Sequence, residues 1–168
     1  MKRVILKIGI GFYIVTTIFV TICLLAYNDY KVSEFGDTSM FVLKYDVGDF
    51  NKNDLLIVSG DKIGDIKKGT EVLYYDSYDS KVKIDIEKVV KVEKVSDSEY
   101  TYNFEDGSYV SNDFVIGSTD DVTNLGVLGF LLGVLESKVG YLLIIVLPMF
   151  LVFLYELVAV VKEIRVKR

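Results

Sequence analysis

Two long apolar runs, one near each end of the chain, constrain it more than any other feature. Ile8–Tyr27 is 20 residues without a charge, and Val139–Val161 is 23 residues in which only Glu156 is charged. About 20 apolar residues cross a hydrocarbon core of roughly 30 Å. The second run would reach about 35 Å as a helix rising 1.5 Å per residue. Each run is therefore expected to span a bilayer. Lys2, Arg3 and Lys7 flank the first, and Lys162, Arg165, Lys167 and Arg168 follow the second. The positive-inside rule then puts both termini in the cytoplasm of a two-span cell-membrane protein, with the segment between them facing outward. A cleaved leader is the alternative for the first run. Its apolar stretch exceeds the usual 7 to 15 or so and no A-x-A-like site follows, which favours a retained anchor. Glu156, about one turn from the basic end, is expected to snorkel, and Pro148 to mark a tolerated kink.

These boundaries divide the chain into an N-terminal anchor (1–27), an extracytoplasmic β-rich domain (28–124), an interfacial glycine-rich segment (125–137), a second transmembrane helix (138–161) and a basic tail (162–168). The segment Leu125–Leu135 is apolar but too short to cross, and carries Gly126, Gly129 and Gly133. That length suits an interfacial, re-entrant or core helix, and the glycine spacing also permits helix packing.

The central domain holds 11 lysines against 21 acidic residues, a net charge of -10. Such a surface argues against nucleic acid and against docking by charge onto an anionic bilayer. The chain has no histidine and one cysteine, Cys23, outside this domain. Disulfides within the chain, multi-cysteine zinc sites and a self-contained Ser-His-Asp triad are thereby excluded. Asp46, Asp49 and Asp54 recur loosely but lack the glycine and terminal glutamate of a calcium loop. With the charges at Asp65–Lys68 and Asp76–Asp79, they read as solvated turn residues. No metal and no cofactor is expected.

Period-two runs dominate residues 28–124: Phe41–Leu43, Leu55–Val58, Val72–Tyr75, Val82–Glu87, Val89–Val92, Tyr100–Phe104 and Phe114–Ile116. They are separated by turns at Gly60-Asp61, Gly64-Asp65, Lys68-Gly69 and Glu105-Asp106-Gly107, the last reading as a hairpin loop. The expected fold is mainly β, a partly closed barrel or small sandwich, flanked by two transmembrane helices.

Ser39-Met40 stands just beyond the first anchor. It is followed by Asn53-Asp54-Leu55-Leu56-Ile57-Val58, by Lys68-Gly69-Thr70-Glu71-Val72 and by the long strand Lys81–Val92. Val115-Ile116-Gly117, the glycine-rich segment, Gly140-Tyr141-Leu142-Leu143-Ile144-Ile145-Val146-Leu147-Pro148 and Phe153-Leu154-Tyr155-Glu156 complete the order. This succession resembles type I signal peptidases, in particular the shorter branch of archaea, Gram-positive bacteria and the endoplasmic reticulum that has a second, C-terminal anchor. The resemblance implies a signal-peptidase-like β-domain, Ser39 as nucleophile and signal peptides as substrate. It departs from the family at Val42, where proline is usual, and at Glu87-Lys88-Val89, where His-Arg-Val is expected. The turn bearing the supporting acid is shortened to Asp106-Gly107-Ser108.

Without histidine, a lysine neutralised by burial is the chemical substitute that deprotonates a serine. Lys83 and Lys88 lie on the strand that carries the family's base. Strand alternation puts Lys83 with Asp85 and Glu87, and Lys88 with Ile84, Ile86 and Val90. The apolar face makes Lys88 the first candidate, with Lys83 and Glu87 as alternatives. An ordinary carboxylate is a poor match for a serine proton.

Three functions are expected to compete. The first is a membrane-anchored serine endopeptidase that cuts signal peptides of exported proteins. The second is a catalytically inactive relative, a pseudoenzyme that binds or helps assemble exported proteins through extended segments. The third is an unrelated two-span scaffold. In each, the lipid bilayer is a partner and nucleic acid is not.

Overall fold

The computed structural model describes residues 2–60, 66–76, 83–96 and 98–166. The Gly64-Asp65 turn, the Asp79 end of the second charged turn and the terminal Lys167-Arg168 lie outside the described residues. The chain divides into two compact units, Ile22–Phe130 and the pair Met1–Thr21 with Leu131–Arg168.

In the terminal unit, the first apolar run forms α1 (Lys2–Leu25). The second run begins with a short turn, α3 (Lys138–Gly140), passes through a π-helical stretch, Tyr141–Val146, and continues as α4 (Leu147–Val166). Lys7–Leu25 and Lys138–Arg165 are both long and apolar enough to cross a membrane, with mean hydropathies of 2.4 and 2.7. Most of their apolar side chains are exposed. The π stretch sits immediately before Pro148, whose ring clashes with a regular turn and which supplies no N–H to it. The Tyr13 hydroxyl lies 2.8 Å from the Ile145 carbonyl oxygen and 3.2 Å from that of Ile144, donating to the carbonyls nearest this gap. Two turns on, Thr21 Oγ1 lies 3.1 Å from the Tyr141 hydroxyl. The π stretch before Pro148 is thus accompanied by a donor from α1. Tyr13→Phe keeps the ring and removes that donor. Its expected cost is about 0.5 to 1.5 kcal/mol, the usual net worth of one hydrogen bond. The check is the thermal midpoint of detergent-solubilised protein, which an unimportant contact would leave unchanged.

Among the described residues the β-domain has nine strands: β1 (Ser33–Phe35), β2 (Thr38–Val42), β3 (Leu55–Ser59), β4 (Glu71–Asp76), β5 (Lys83–Lys94), β6 (Tyr100–Phe104), β7 (Tyr109–Ser111), β8 (Val115–Ser118) and β9 (Val122–Asn124). One sheet has the order β1-β2-β3-β9, and the other, a curled half-barrel, has the order β7-β6-β5-β4-β8. All the pairings are antiparallel. The two runs expected at Val82–Glu87 and Val89–Val92 are one strand, whose register against β6 shifts between Val89 and Lys91. This bulge bends the strand and keeps both Val89 and Val92 on the same packed side. Three short strands, β1, β7 and β9, have no period-two run long enough to announce them.

Two apolar layers result. Phe41, Leu56 and Val58 of the first sheet pack against Leu73, Tyr75 and Ile116 of the second. The other face of the second sheet gathers Val72, Val89, Tyr102, Phe104, Val110 and Val115 inside its own curl. Alternation on β4 divides Val72 from Leu73, so this one strand supplies both layers.

The glycine-rich segment forms α2 (Gly126–Glu136). Its entry is fixed by the Leu125 amide donating to the Leu55 carbonyl at 2.8 Å. Asp54, expected as a solvated turn residue, is instead only 8% exposed. Its carboxylate accepts from the Asn51 amide at 3.0 Å and from Asn124 Nδ2 at 2.7 Å. It stands beside Gly126, where the positive end of a helix dipole favours an anion.

Candidate functional site

Ser39 is the second residue of β2, entered through a two-residue turn in which Gly36 takes a left-handed φ of 60°. Its register partners are Glu34 on β1 and Val58 on β3. It shares a face with Phe41, so its side chain lies at the rim of the layer between the sheets. There it lines a hollow of about 200 Å³ with Glu34, Asp37, Tyr75, Asp113 and Ile116. Among the described lining residues there is no amine.

The phenol in this hollow is no substitute base. Burial pushes the Tyr75 hydroxyl up to about 12, and the nearby Glu34 carboxylate adds to the shift, against a bond from Asn28 that lowers it. Asn28 Nδ2 donates to Tyr75 at 2.9 Å and also to Glu34, while Tyr30 stacks on the ring at 4.2 Å. Tyr75 is thus a neutral hydrogen-bonding wall at physiological pH.

Lys88 lies elsewhere. It pairs with Glu71 at one end of the β4–β5 ladder, whereas Tyr75, on the wall of the Ser39 hollow, pairs with Ile84. Those two positions are four residues apart along the strand, about 13 Å at 3.3 Å per residue. Lys88 continues the Ile84–Ile86 face as alternation requires, but past the apolar layer. It is exposed and lines a separate hollow with Asp49, Glu71 and Asp120. Burial against an apolar face, the condition that singled it out, is therefore not met. Lys83 is also exposed, opposite Asp76.

Glu87 has the most distinctive surroundings of the four candidates. It is half-buried, and its pKa is raised above 4.5, first by burial and then by the Asp106 and Asp85 carboxylates. It lines the hollow around Lys88 and also a larger cleft of about 810 Å³ in the curl of the second sheet, but not that of Ser39. The structure thus separates Ser39 from Lys88 and Glu87, which share a hollow that Ser39 does not line. Among the described residues, no group of three acidic or cysteine side chains is placed to hold a metal ion.

The large cleft has no clear signature in the sequence. Its walls include Tyr74, Asp76, Asp85, Glu87, Phe104, Asp106, Tyr109 and Phe114. Tyr74 and Phe104 tilt against each other with centroids 4.9 Å apart. Burial first, then Asp85, Asp76, Glu87 and Asp106, strongly raise the Tyr74 hydroxyl, so it stays protonated. Asp106 moves the other way, lowered by the Ser108 hydroxyl and amide that donate to it at 2.6 and 2.8 Å. The only sequence signal is the charged alternation Lys83-Asp85-Glu87, which reads equally well as a solvated face.

A carboxyl whose pKa is higher folded than unfolded favours folding below its unfolded value and opposes it once ionised. Glu87→Gln should therefore raise the thermal midpoint at pH 7, with the gain fading as pH falls through the raised folded value and largely gone below about 4.5. A gain that is the same at pH 7 and pH 4 would disconnect Glu87 from the neighbouring charges.

No protein-family model, no curated protein and no solved structure matches this chain.

Proposed function

We propose that this protein is a membrane-anchored, catalytically silent relative of the signal peptidases that binds extended segments of exported proteins. The observation that carries this reading is the setting of Ser39, which lines a hollow whose described walls offer carboxylates, a neutral phenol and aliphatic groups but no amine. A serine proton needs a base within about 3 Å, and an ordinary carboxylate or a neutral phenol serves poorly. The ordered parts of the chain, from the first apolar run through Ser39-Met40 to the Pro148-containing second run, still follow the family's plan. In this reading both helices span the membrane, both termini are cytoplasmic and the β-domain works outside. Confinement to one surface raises the effective concentration of polypeptides held in the same bilayer.

The test is to reconstitute the full chain in nanodiscs with an exported precursor bearing an intact signal sequence. Wild type and Ser39→Ala should leave the precursor uncut and crosslink to it equally well. Cleavage by wild type that Ser39→Ala abolishes would overturn the silent reading and establish the peptidase. Absence of both cleavage and crosslinking would overturn the family reading and leave a two-span scaffold.

A further inference from the structure

We propose that the cleft in the curl of the second sheet, bounded by Tyr74, Asp85, Glu87, Phe104, Asp106 and Tyr109, docks an extended polypeptide through a lysine or arginine side chain. This rests on the reading that the domain binds extended segments, and it specifies which chemistry they carry.

Charge is the first reason. Four carboxylates, Asp76 on β4, Asp85 and Glu87 on β5 and Asp106 in the β6–β7 turn, line one concavity, and no lysine or arginine is among its described lining residues. Even counting Lys83, which shares a strand face with Asp85 and stands opposite Asp76, the carboxylates outnumber the described cations by three. Burial first, and then the neighbouring carboxylates, raise the pKa of both Glu87 and Tyr74, in keeping with an acidic concavity.

The second reason is the kind of wall. Tyr74, Phe104, Tyr109 and Phe114 supply aromatic surface beside the carboxylates. Ring faces attract ammonium and guanidinium groups, and carboxylates pair with them. The alkyl stem of a lysine or arginine packs on such rings while its head reaches the acids. An uncharged apolar side chain would desolvate the carboxylates without compensation, and an anion would be repelled. A compact metal ion is a poorer match, because no three of the acids converge on one point.

The third reason is backbone access. β7 is the outer strand of its sheet and pairs only with β6 among the described strands. All three of its residues, Tyr109, Val110 and Ser111, also line the cleft. An edge strand offers unpaired backbone groups to an added strand. A polypeptide laid along β7 therefore places alternate side chains over the cleft.

The experiment uses the full chain in nanodiscs and three peptides, acetyl-Thr-Val-Lys-Val-Thr-amide and its analogues with norleucine or glutamate in place of lysine. The lysine peptide should bind about tenfold tighter than the norleucine peptide, one charge pair's worth of affinity, and lose that margin as salt is raised. Asp85→Asn with Glu87→Gln keeps side-chain shape, relieves like-charge repulsion and should erase the margin, with near-ultraviolet circular dichroism confirming the fold. Equal binding of all three peptides would overturn the cation preference and leave strand binding standing. A lysine preference that survives the double substitution would overturn this location. No binding by any peptide would overturn both this inference and the reading beneath it.

Discussion

Replacing Gly129 with alanine is expected to unseat α2 from the β-domain, a loss of stability far larger than one added methyl group ordinarily causes. A Cβ at this position would lie 2.1 Å from the Asn53 carbonyl oxygen, 2.4 Å from the Leu55 amide nitrogen and 2.7 Å from the Asp54 carbonyl carbon. All three are backbone atoms, so no side chain can swing aside. Either the helix or the 53–55 segment must move. That segment is pinned by the Asp54 carboxylate, by the Asn53 amide donating to the Leu43 carbonyl at 2.8 Å and by pairing to β2 and β9. Asn53 already holds a left-handed φ of 70°. Overpacking commonly costs about 1 to 3 kcal/mol, and a backbone clash belongs at or beyond the top of that range. Gly11→Ala is the matched control, because a Cβ there meets nothing within 4 Å. It should be neutral or slightly stabilising, as alanine exceeds glycine in helix propensity. The measurement is thermal unfolding in detergent followed by tyrosine near-ultraviolet circular dichroism, since the chain has 12 tyrosines and no tryptophan. Equal midpoints for Gly129→Ala and wild type would refute the docking geometry.

Leu73→Ala should lower the stability of the β-domain by about 2 to 5 kcal/mol, the range for emptying a closed leucine site. Leu73 is fully buried on β4, the strand hydrogen-bonded to both β5 and β8, and faces the layer between the sheets. Its neighbour Val72 faces the other layer, inside the curl. Because adjacent residues of one strand supply the two layers, they should unfold together. Denaturant curves of the variant should show a lower midpoint and the same slope, read by two probes that coincide. A second transition, or a slope that falls with the midpoint, would mean that the layers melt separately.

Such costs are large beside the 5 to 15 kcal/mol or so that holds a typical domain together. The Glu87→Gln prediction has the opposite sign. Glu87 stands beside other carboxylates in the concavity proposed to dock a cationic side chain. That link connects the pH test with the peptide test. Gain of stability and loss of the lysine preference should accompany each other in variants of Asp85 and Glu87.

How legible each element was depended on whether its cause was local. The Glu105-Asp106-Gly107 hairpin was readable because a left-handed φ, 84° at Gly107, suits glycine. The apolar runs were readable because helix length and lack of charge need no partner. β1, β7 and β9 were not, because each is a three-residue strand at a sheet edge, and its existence depends on the strand beside it. The merger of two expected strands into β5 also depended on a partner, since a bulge is defined only against the facing strand.

By itself, then, the sequence determined two spanning-length apolar helices, an acidic β-rich segment between them, a strand through Phe41 and Val42 and the alternation that separates Ile84 and Ile86 from Asp85 and Glu87. These follow from composition, run length and period, which are properties of neighbours in the chain. Only the tertiary structure decided that the charged face of β5 lies inside a curl, that Lys88 falls beyond the apolar layer, that Asp54 is buried and that Ser39 lines a hollow apart from both. Alternation assigns residues to two faces of a strand, but which face is concave is set by twist, bulge and the sheet packed against it.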